Sequence, residues 1–570
     1  MPEPTPTICP LPTRAADFAT LPEALDYAAG SSRGLNFYSG RGQLEEALSY
    51  RDLREQAVSL ARRMLGAGFV PGERVAIVAE TDGDFVRTFC ACSYAGLVPV
   101  PMPLPMPFGR GDAYVAHLRG MIETAQASGV LAPPSLSGWI NEAAQGLTLR
   151  VAGSLSSLEA LADHEGPLPA VADDDVAYLQ FSSGSTRFPV GVTVTHRNLM
   201  ANARAISLYG LQITRTDRCV SWLPFYHDMG LVGFLLTPLL SQISVDYLAT
   251  REFARRPLTW LSLIARNRGT LSYSPSFGFE LCARRASTAT LPPLDLSSWR
   301  AAGIGGDMIR PHVLEEFART FAPHGFSPRA FVPSYGMAET VLAISFAPLD
   351  TGVVVDRVDL DLMEEGIATP AGDGARARDF VRCGPPLPGH EAEIRGADGT
   401  ALPDRALGRI FLRGPSVMRD YFDRPDETAR VLSADGWLDT GDLGFRVDGQ
   451  LVITGRAKDV IIVNGRNIWP QDLEWSAEQV EGLRSGDAAA FAVDDGGSER
   501  IVVLVECRKT DPAERSALAA AVAAALRDGH GADAGIVLVP PRSLPQTSSG
   551  KLSRNKARQL YLSGAFGEGQ

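Results

Sequence analysis

A loop of small and hydroxyl-bearing residues follows the strand-like run 175–181 and is the most informative segment of the chain. Small side chains let the backbone approach an anion, and its N–H groups and hydroxyls can surround phosphate oxygens. A serine-rich surface turn has the same composition, so the loop alone leaves both interpretations open. No G-x-x-x-x-G-K-[ST] motif occurs, which excludes a Walker A loop. The loop residues are Ser182, Ser183, Gly184, Ser185 and Thr186.

Two further segments place a titratable side chain among aromatic or apolar neighbours. His227 and Asp228 lie between an aromatic run and an apolar run, which suits a pocket that orients a polar head group and buries a tail. A core histidine satisfied by Asp228 explains this fragment equally well. In the run 333–340, Tyr335 could cover a base and Glu339 could hold a divalent cation. A capped helix start would look much the same.

Charged residues also lie on glycine-flanked turns towards the end of the sequence. Asp442 could bridge the two vicinal hydroxyls of a ribose, and Arg456 follows the next strand-like run. Lys551 comes directly after Gly550 in a loop rich in threonine and serine. Each pattern is weak alone, because D-x-x-D pairs are common and a lone loop lysine is normally solvated.

Composition limits the classes of protein to consider. At 570 residues and 61.0 kDa, the chain exceeds what one hydrophobic core usually organises. Lys+Arg 54 against Asp+Glu 66 gives a net charge of −12, which disfavours a nucleic-acid binder. The apolar run 230–240 is too short for a membrane span, which needs about 20 residues. The first 18 residues lack the apolar core of a signal peptide, and seven scattered cysteines fit a reducing compartment, so we expect a cytoplasmic protein.

Helical and strand-like segments alternate along most of the chain. A helical pattern over 53–69 precedes a strand-like run at 74–79 and a second helical segment at 84–95. This alternation, expected to continue to about Gly455, predicts an α/β fold with a largely parallel sheet. Alternating prolines over 99–107 predict an extended connector, because proline cannot donate to a sheet ladder. After Gly455, strand-like runs around an alanine-rich helix predict a small separate domain.

The five segments, in this order between Tyr178 and Lys551, resemble the adenylate-forming superfamily of acyl-CoA synthetases, peptide-synthetase adenylation domains and luciferase-like enzymes. Their ordered occurrence is far more specific than any one of them. Within the superfamily the chain resembles the fatty acyl-AMP ligases, from about Ala24 to Tyr561. Four stretches carry this closer resemblance: Ser185-Thr-Arg-Phe-Pro189, Tyr226-His-Asp-Met-Gly230, Tyr335-Gly-Met-Ala-Glu339 and Asn464-Gly-Arg-Asn-Ile-Trp-Pro-Gln-Asp472.

The resemblance implies a large N-terminal adenylation domain of several subdomains, residues 1–457. A small mobile α+β domain, residues 458–570, would swing about a hinge at Lys458. Such an enzyme uses ATP and Mg²⁺ to convert a carboxylic acid to an acyl-adenylate and pyrophosphate, and then passes the acyl group to a thiol. Bringing the carboxylate to the phosphates costs roughly 4 kcal/mol for each pair of unit charges about 4 Å apart. A cation must therefore neutralise the developing charge.

The same resemblance gives each motif a role. Lys551 would be the mobile catalytic cation, Glu339 the catalytic metal ligand and His227 a further catalytic residue, while the serine loop would grip the pyrophosphate. The nucleotide contacts would be Gly305, Gly306 and Asp307 opposite the Tyr335 ring, Gly336, Met337 and Ala338 beside it, and Asp442, Arg456 and Lys551 around the ribose and α-phosphate.

Three positions depart from the family pattern. Val190 follows Pro189 where a lysine is usual, so pyrophosphate binding is left to Arg187, Mg²⁺ and hydroxyl groups. Ala338 replaces a threonine that commonly precedes the metal glutamate, which removes one contact to the α-phosphate. Asp307 stands where these ligases more often carry glutamate, so the shorter carboxylate need not reach the same partner.

The apolar and aromatic runs 225–236 and 274–280 predict a fatty acid as substrate. Burying each methylene is worth up to about 0.8 kcal/mol, so the depth of the tunnel would select the chain length. Ordinary core packing has the same composition. The residues predicted to line the tunnel are Phe225, His227, Met229, Gly230, Ser276, Phe277 and Gly278.

The segment 350–382 resembles the extra motif of fatty acyl-AMP ligases, which is associated with an acyl carrier protein as acceptor in place of free coenzyme A. A variable surface insertion without effect on the acceptor is the alternative. No carrier domain follows Lys551, so the carrier protein is expected in trans. An acyl-CoA synthetase is the nearest alternative function. A non-catalytic acyl or nucleotide sensor is another, although the joint presence of Glu339, Asp442, Arg456 and Lys551 argues against it.

Overall fold

The computed structural model describes residues 11–105, 111–182, 190–288, 293–463, 466–494, 499–547 and 551–566. An eight-stranded sheet lies at its centre, with parallel inner strands and an antiparallel strand at each edge. The inner strands are short apolar runs buried on both faces, as is usual for parallel sheets covered by helices. The predicted α/β fold is confirmed. From edge to edge the strands are Ala343–Phe346, Phe331–Gly336, Ala301–Ile304, Leu271–Ser274, Arg218–Ser221, Ser244–Leu248, Gly34–Tyr38 and Leu44–Ser49.

A second sheet of four parallel strands corrects the interpretation of the proline-rich run. Pro99 and Pro101 lie inside its edge strand, so the prediction of a connector is wrong for this half of the run. Val98 donates its N–H to the carbonyl of Glu73 at 2.8 Å, and the prolines alternate with such donors. Their missing N–H groups therefore fall on the side away from the neighbouring strand. In order, the strands are Val98–Met102, Arg74–Val78, Ala127–Leu131 and Val151–Gly153.

Antiparallel strands dominate from Val355 to Arg456, so the expected helix–strand alternation does not continue to Gly455. Along these strands buried and exposed residues alternate, because only one face meets the core. The four-stranded sheet contains Glu391–Arg395, Gly408–Arg413, Leu438–Val447 and Gln450–Arg456; the two-stranded sheet contains Val355–Asp359 and Ala377–Val381; the three-stranded sheet contains Asp420–Tyr421, Val190–Thr195 and Val176–Ser182.

Residues from Ile461 onward contribute two hydrophobic cores that are separate from the main core of the chain. Among the described residues, a three-stranded sheet and three helices enclose these cores, and the strands Ile461–Val463 and Arg466–Ile468 form a separate two-stranded sheet. This part therefore has the α+β composition expected from the sequence. Its elements are Ile461–Val463, Arg466–Ile468, Pro470–Glu478, Ala488–Asp494, Glu499–Glu506, Pro512–His530, Ala534–Val539 and Arg554–Leu562.

Side-chain caps begin several of the remaining helices: Ser49 accepts from the N–H of Asp52, and Asp82 from that of Phe85. In the described ranges, no helix combines the length and apolarity that crossing a bilayer requires. Two π-helical segments, Ile206–Gly210 and Met229–Leu236, continue or precede α-helices. The other α-helices are Leu21–Ala28, Tyr50–Gly66, Gly83–Tyr94, Gly111–Thr124, Ser137–Ala144, Leu155–Glu159, His196–Ala205, Thr237–Leu240, Thr250–Arg255, Leu258–Asn267, Ser276–Ala286, Pro311–Phe321, Leu360–Glu364 and Pro425–Val431.

Candidate active site

A cavity of about 2040 Å³ lies where the strands of the central sheet end and the C-terminal segment begins to cover them. Trp222, Pro275 and Gly305 line it, and each directly follows a parallel strand of the sheet. Lys551 and Arg554 of the C-terminal segment also line it. The crevice outside the carboxyl ends of parallel strands is the usual ligand site of an open α/β sheet, so this cavity is the candidate active site.

Lys551 reaches the cavity from the loop before the helix Arg554–Leu562. Its Nζ lies 3.8 Å from the position that a Cβ atom would take at Gly306, whose φ of +82° also favours glycine. The Lys551 N–H donates to Thr547 Oγ1 at 3.2 Å. Desolvation lowers the pKa of Lys551, while attraction by Asp228 and Asp307 opposes the shift. The ammonium group thus lies among carboxylates beside Gly306.

Asp442 is held between an aromatic hydroxyl and a guanidinium group. It faces Arg456 across the paired strands Leu438–Val447 and Gln450–Arg456, with Arg456 Nε 3.2 Å from Asp442 Oδ1. The Tyr335 hydroxyl donates to Asp442 Oδ2 at 2.7 Å. Burial raises the pKa of Asp442, and the charge of Arg456 acts against this rise. One oriented carboxylate therefore lies beside one aromatic ring on the cavity wall.

Glu339 lies in the short helix Ala338–Thr340, and its side chain is buried. The Tyr421 hydroxyl donates to Glu339 Oε1 at 2.8 Å. Burial raises the pKa of Glu339, and this hydrogen bond lowers it in part. The sequence analysis missed Tyr421, which belongs to the two-residue strand Asp420–Tyr421 and to none of the five motifs.

The carboxylate of Glu339 fits a magnesium ion in one respect, because Mg²⁺ is usually held by one or two carboxylates together with phosphate oxygens and water. Within the described part of the chain, no three His, Cys, Asp or Glu side chains converge as a metal site. A magnesium ion bound at Glu339 would therefore need oxygen ligands from the nucleotide.

The His227–Asp228 turn faces Lys551. His227 Nδ1 lies 2.7 Å from Asp228 Oδ1, and the Met229 N–H donates to the same oxygen at 2.7 Å. Although burial raises the pKa of Asp228, attraction by His227 and Lys551 brings it below its ordinary value. Behind the turn, Gln180 Nε2 donates to the carbonyl of Tyr226 at 2.8 Å. The turn thus presents a fixed anionic carboxylate towards the cationic side of the cavity.

Of the residues predicted to line the tunnel, His227, Met229 and Phe277 line the cavity. The structure places the other four behind its wall. Phe225 packs in the core on Phe85 and Tyr247, Ser276 Oγ lies 3.5 Å from Asp307 Oδ1, and Gly230 and Gly278 lie where a Cβ would meet Pro224 and Ser274 at 2.1 and 2.0 Å.

An aromatic group that the sequence analysis did not single out forms much of the apolar wall. The ring centroids of Phe234 and Tyr273 are 5.8 Å apart, and those of Tyr273 and Phe346 are 6.3 Å apart. All three side chains line the cavity, and the Tyr273 hydroxyl is buried with no hydrogen-bond partner among the residues that the structure describes. In the sequence each is a single aromatic residue of a buried element, indistinguishable from a core residue.

The remaining predicted residues belong to the serine loop, to the segment after Tyr335 and to the predicted hinge. Residues 183–186 of the serine loop, and the Ser182 side chain, lie outside the described residues. Gly336, Met337 and Ala338 line the cavity beside Tyr335. Lys458 lies in the short helix Ala457–Asp459, after the strand that ends at Arg456. Desolvation and the charge of Arg456 lower the pKa of Lys458.

Comparison with known proteins places the chain in a family. The sequence model described as AMP-binding enzyme matches residues 33–422. A protein of Caulobacter vibrioides, provisionally named an acyl-CoA synthetase, is 54% identical over 567 residues, 99% of each chain. The medium-chain-fatty-acid–[acyl-carrier-protein] ligase JamA of Moorena producens is 33% identical over 574 residues, 96% of each chain.

A solved structure from a study of fatty acyl-adenylate ligases of E. coli and L. pneumophila superposes with a TM-score of 0.93. It is 47% identical in sequence, and the match covers 97% of this chain and 100% of that one. The chain belongs to the family of AMP-binding enzymes and has their adenylate-forming fold. The predicted family is therefore confirmed.

Proposed function

We propose that this enzyme activates a fatty acid with ATP and passes the acyl group to the phosphopantetheine thiol of an acyl carrier protein in trans. The observation that carries the proposal is the convergence of Lys551, the Tyr335–Asp442–Arg456 group and Glu339 on one cavity, part of whose wall is the aromatic group of Phe234, Tyr273 and Phe346. The names of JamA and of the fatty acyl-adenylate ligases support the choice of substrate and of acceptor.

In the first step, a carboxylate oxygen of the fatty acid bonds to the α-phosphorus of ATP. The bond from that phosphorus to the bridging oxygen breaks, and pyrophosphate leaves. Lys551 would neutralise charge between the carboxylate and the α-phosphate, where preorganised donors act most strongly. Asp442 and Arg456 would hold the ribose, and the Tyr335 ring would cover the adenine. Glu339 would hold Mg²⁺, which when bound supplies charge neutralisation at the phosphates.

In the second step, the thiol sulfur of the carrier attacks the acyl carbon of the adenylate. A C–S bond forms, the C–O bond to AMP breaks, and the thiol proton is released. For this step we propose that residues 458–570 act as the mobile domain and turn about Lys458, which removes Lys551 from the reaction centre. The separate hydrophobic cores beyond Ile461 support such a rigid unit.

The acceptor has a second candidate, because the name of the C. vibrioides relative favours free coenzyme A. The two-stranded sheet of Val355–Asp359 and Ala377–Val381 lies within the segment that resembles the extra motif of fatty acyl-AMP ligases. The presence of that segment supports a carrier protein, and not free coenzyme A, as the acyl acceptor.

ATP–pyrophosphate exchange, driven by fatty acids of graded length, tests the first step. The purified enzyme is expected to exchange label with at least one saturated fatty acid and not with an amino acid. Labelled fatty acid is then offered with holo carrier protein, with apo carrier protein and with free coenzyme A. We expect a thioester on the holo protein alone. If none of the fatty acids supports exchange, the proposed substrate is wrong. If the coenzyme A thioester forms as rapidly as the carrier-protein thioester, the enzyme is an acyl-CoA synthetase.

A further inference from the structure

One face of the helix Pro470–Glu478 is directed at the N-terminal part of the chain. Asp472, Trp475 and Glu478 recur at a spacing of three, which places them along one side of the helix. Two arginines from separate elements meet this face. Arg310 directly precedes the helix Pro311–Phe321, and Arg378 belongs to the strand Ala377–Val381.

Trp475 contacts both guanidinium groups. The Cζ atoms of Arg310 and Arg378 are each 5.2 Å from the centroid of the Trp475 ring system. Both distances are within the range of a cation–π contact, about 6 Å. Arg310 and Arg378 are far apart in the sequence. The indole ring therefore joins two parts of the N-terminal region to one helix of the C-terminal region.

Ion pairs flank the indole on both sides. Arg310 Nη1 donates to Glu478 Oε2 at 2.9 Å and to Ser485 Oγ at 2.6 Å. Arg378 Nη1 lies 2.7 Å from Asp472 Oδ1, with both side chains more than nine-tenths buried. Arg378 Nε and Nη2 have no hydrogen-bond partner among the described residues, so Asp472 is the carboxylate that balances this buried charge. Losing one partner of a buried pair is strongly destabilising.

The stretch 306–310, which contains Arg310, also lies beside the Lys551 side chain. Gly306, beside which the Lys551 ammonium lies, is followed four residues later by Arg310, which holds Glu478. Two separate points of the C-terminal segment thus contact the stretch 306–310. Arg554, three residues after Lys551, pairs with Glu474 of the helix Pro470–Glu478, so the contacts of this helix bear on the position of Lys551.

We propose that Arg310, Arg378, Asp472, Trp475 and Glu478, together called the Trp475 clamp, position Lys551 for adenylate formation and separate before thiol transfer. The proposal rests on the proposed function, in which Lys551 serves the first step only. Trp475 is a positioning residue, since it acts through Lys551. The clamp consists of ion pairs and cation–π contacts, which water can replace when the surfaces part, as is common where domains move within one chain.

The test compares Trp475→Leu with Trp139→Leu. Trp139 is also a half-buried tryptophan on a short helix, Ser137–Ala144, but it packs on Tyr114 away from the cavity. Two rates are measured: ATP–pyrophosphate exchange, and transfer to holo carrier protein from preformed acyl-adenylate. Trp475→Leu is expected to lower the maximal exchange rate about tenfold, with the KM for ATP within about twofold and the transfer rate undiminished. Trp475→Phe, which keeps an aromatic face, should recover most of the exchange.

Limited trypsin digestion supplies a readout independent of activity. If the clamp holds the two parts together, trypsin should cleave Trp475→Leu after Arg456 or Lys458 faster than it cleaves the wild type. Trp139→Leu should be cleaved at the wild-type rate. Faster cleavage supports the clamp even if the wild-type enzyme exchanges label with no fatty acid, an outcome that would defeat the proposed function alone. Unchanged exchange with unchanged cleavage, or an equal loss of exchange and transfer in Trp475→Leu, would overturn the clamp.

Discussion

The Tyr335 hydroxyl donates a 2.7 Å hydrogen bond to Asp442, and this bond joins the two groups proposed for the two halves of a nucleoside. Arg456 lies 3.2 Å from the other carboxylate oxygen of Asp442. The carboxylate is therefore oriented from both sides before any ribose arrives. An oriented acceptor loses less entropy when ligand hydroxyls bind, so the Tyr335 hydroxyl should matter for ATP binding as well as the ring itself.

Replacing Tyr335 by phenylalanine tests this relationship. The ring remains for stacking, but Asp442 loses one donor. A hydrogen bond to a charged group contributes about 1.5–3 kcal/mol, so the KM for ATP in pyrophosphate exchange should rise by roughly tenfold or more. Tyr273→Phe is the matched control, because the Tyr273 hydroxyl has no hydrogen-bond partner within the described ranges of the chain. An unchanged KM in Tyr335→Phe, or an equal rise in Tyr273→Phe, would contradict the role.

The order of the motifs, through its resemblance to a known superfamily, predicted that Tyr335, Glu339, Asp442 and Lys551 share one site, and all four line the cavity. The short apolar runs were sufficient to predict a parallel sheet. The hydrogen-bond and ion-pair partners of these residues could not be predicted from the sequence. Asp442 faces Arg456 only through the register of two strands, and Tyr421 meets Glu339 across 82 positions of sequence. Such contacts depend on tertiary packing, which no local pattern encodes.

Two errors have the same origin. The prediction of a connector considered only that proline lacks an N–H. In the edge strand Val98–Met102, the positions without an N–H point away from the neighbouring strand, so the prolines do not interrupt the pairing. Apolar composition could not separate tunnel lining from core, so Phe225 and Phe277 looked alike although only Phe277 lines the cavity. In both cases the deciding fact is which side of an element faces which neighbour.

The hydrogen bond from Tyr421 should tune the metal requirement of Glu339. Groups that orient a metal ligand typically change metal affinity by about 10–100-fold when removed. We expect Tyr421→Phe to raise the Mg²⁺ concentration for half-maximal pyrophosphate exchange by about tenfold and to leave the rate at saturating Mg²⁺ within about threefold. A Mg²⁺ titration of wild type, Tyr421→Phe and Glu339→Gln measures this. The assignment is wrong if Glu339→Gln has the wild-type Mg²⁺ dependence.

Lys551 should affect one half-reaction only. Loss of a preorganised donor to developing charge costs about 10²–10³-fold in rate, so Lys551→Ala should reduce pyrophosphate exchange at least that far. Transfer of the acyl group from preformed adenylate should persist. Lys509→Ala is the control, because Lys509 follows the strand Glu499–Glu506 and does not line the cavity. If Lys551→Ala exchanged at the wild-type rate, the proposed catalytic role would be lost.

The Trp475 clamp should respond to pH through Glu478. Burial raises the pKa of Glu478 to about 7, against the attraction of Arg310 and the N–H of Gly486, while the neighbouring Glu474 adds to the rise. Glu474 is itself paired with Arg554. As the pH falls through about 7, Glu478 gains a proton and its ion pair with Arg310 is lost. The charged clamp is therefore fully present only above that pH.

The expected result is a ratio of rates. Wild type and Glu478→Gln should exchange pyrophosphate at nearly equal rates at pH 6, since both then carry a neutral side chain at position 478. Above pH 8 the wild type should be faster by roughly threefold to tenfold, a gain of the size of one charged hydrogen bond. Other titrating groups affect both proteins and cancel in the ratio. A ratio independent of pH between 6 and 8.5 would show that Glu478 does not titrate in the clamp.

Chain length should depend on Phe346, which closes on Tyr273 within the apolar wall. A Cβ atom at Gly210 would lie 2.9 Å from the Phe346 ring, so the ring fills the space up to the π-helical segment Ile206–Gly210. Phe346→Ala opens that space. Each further methylene that becomes buried there should then gain about 0.8 kcal/mol, close to fourfold in kcat/KM.

Pyrophosphate exchange with a graded series of saturated fatty acids measures the shift, and Phe346→Ala should prefer a longer acid than the wild type. Deleting a buried phenyl ring destabilises a protein by about 3–5 kcal/mol wherever it lies, so a loss of activity alone is uninformative. Phe321→Ala separates the two effects, because Phe321 is fully buried in the helix Pro311–Phe321 and does not line the cavity. It should weaken the fold without moving the preferred length. If Phe346→Ala keeps the wild-type preference, the acyl chain does not run past Tyr273, and the apolar wall there belongs to the core.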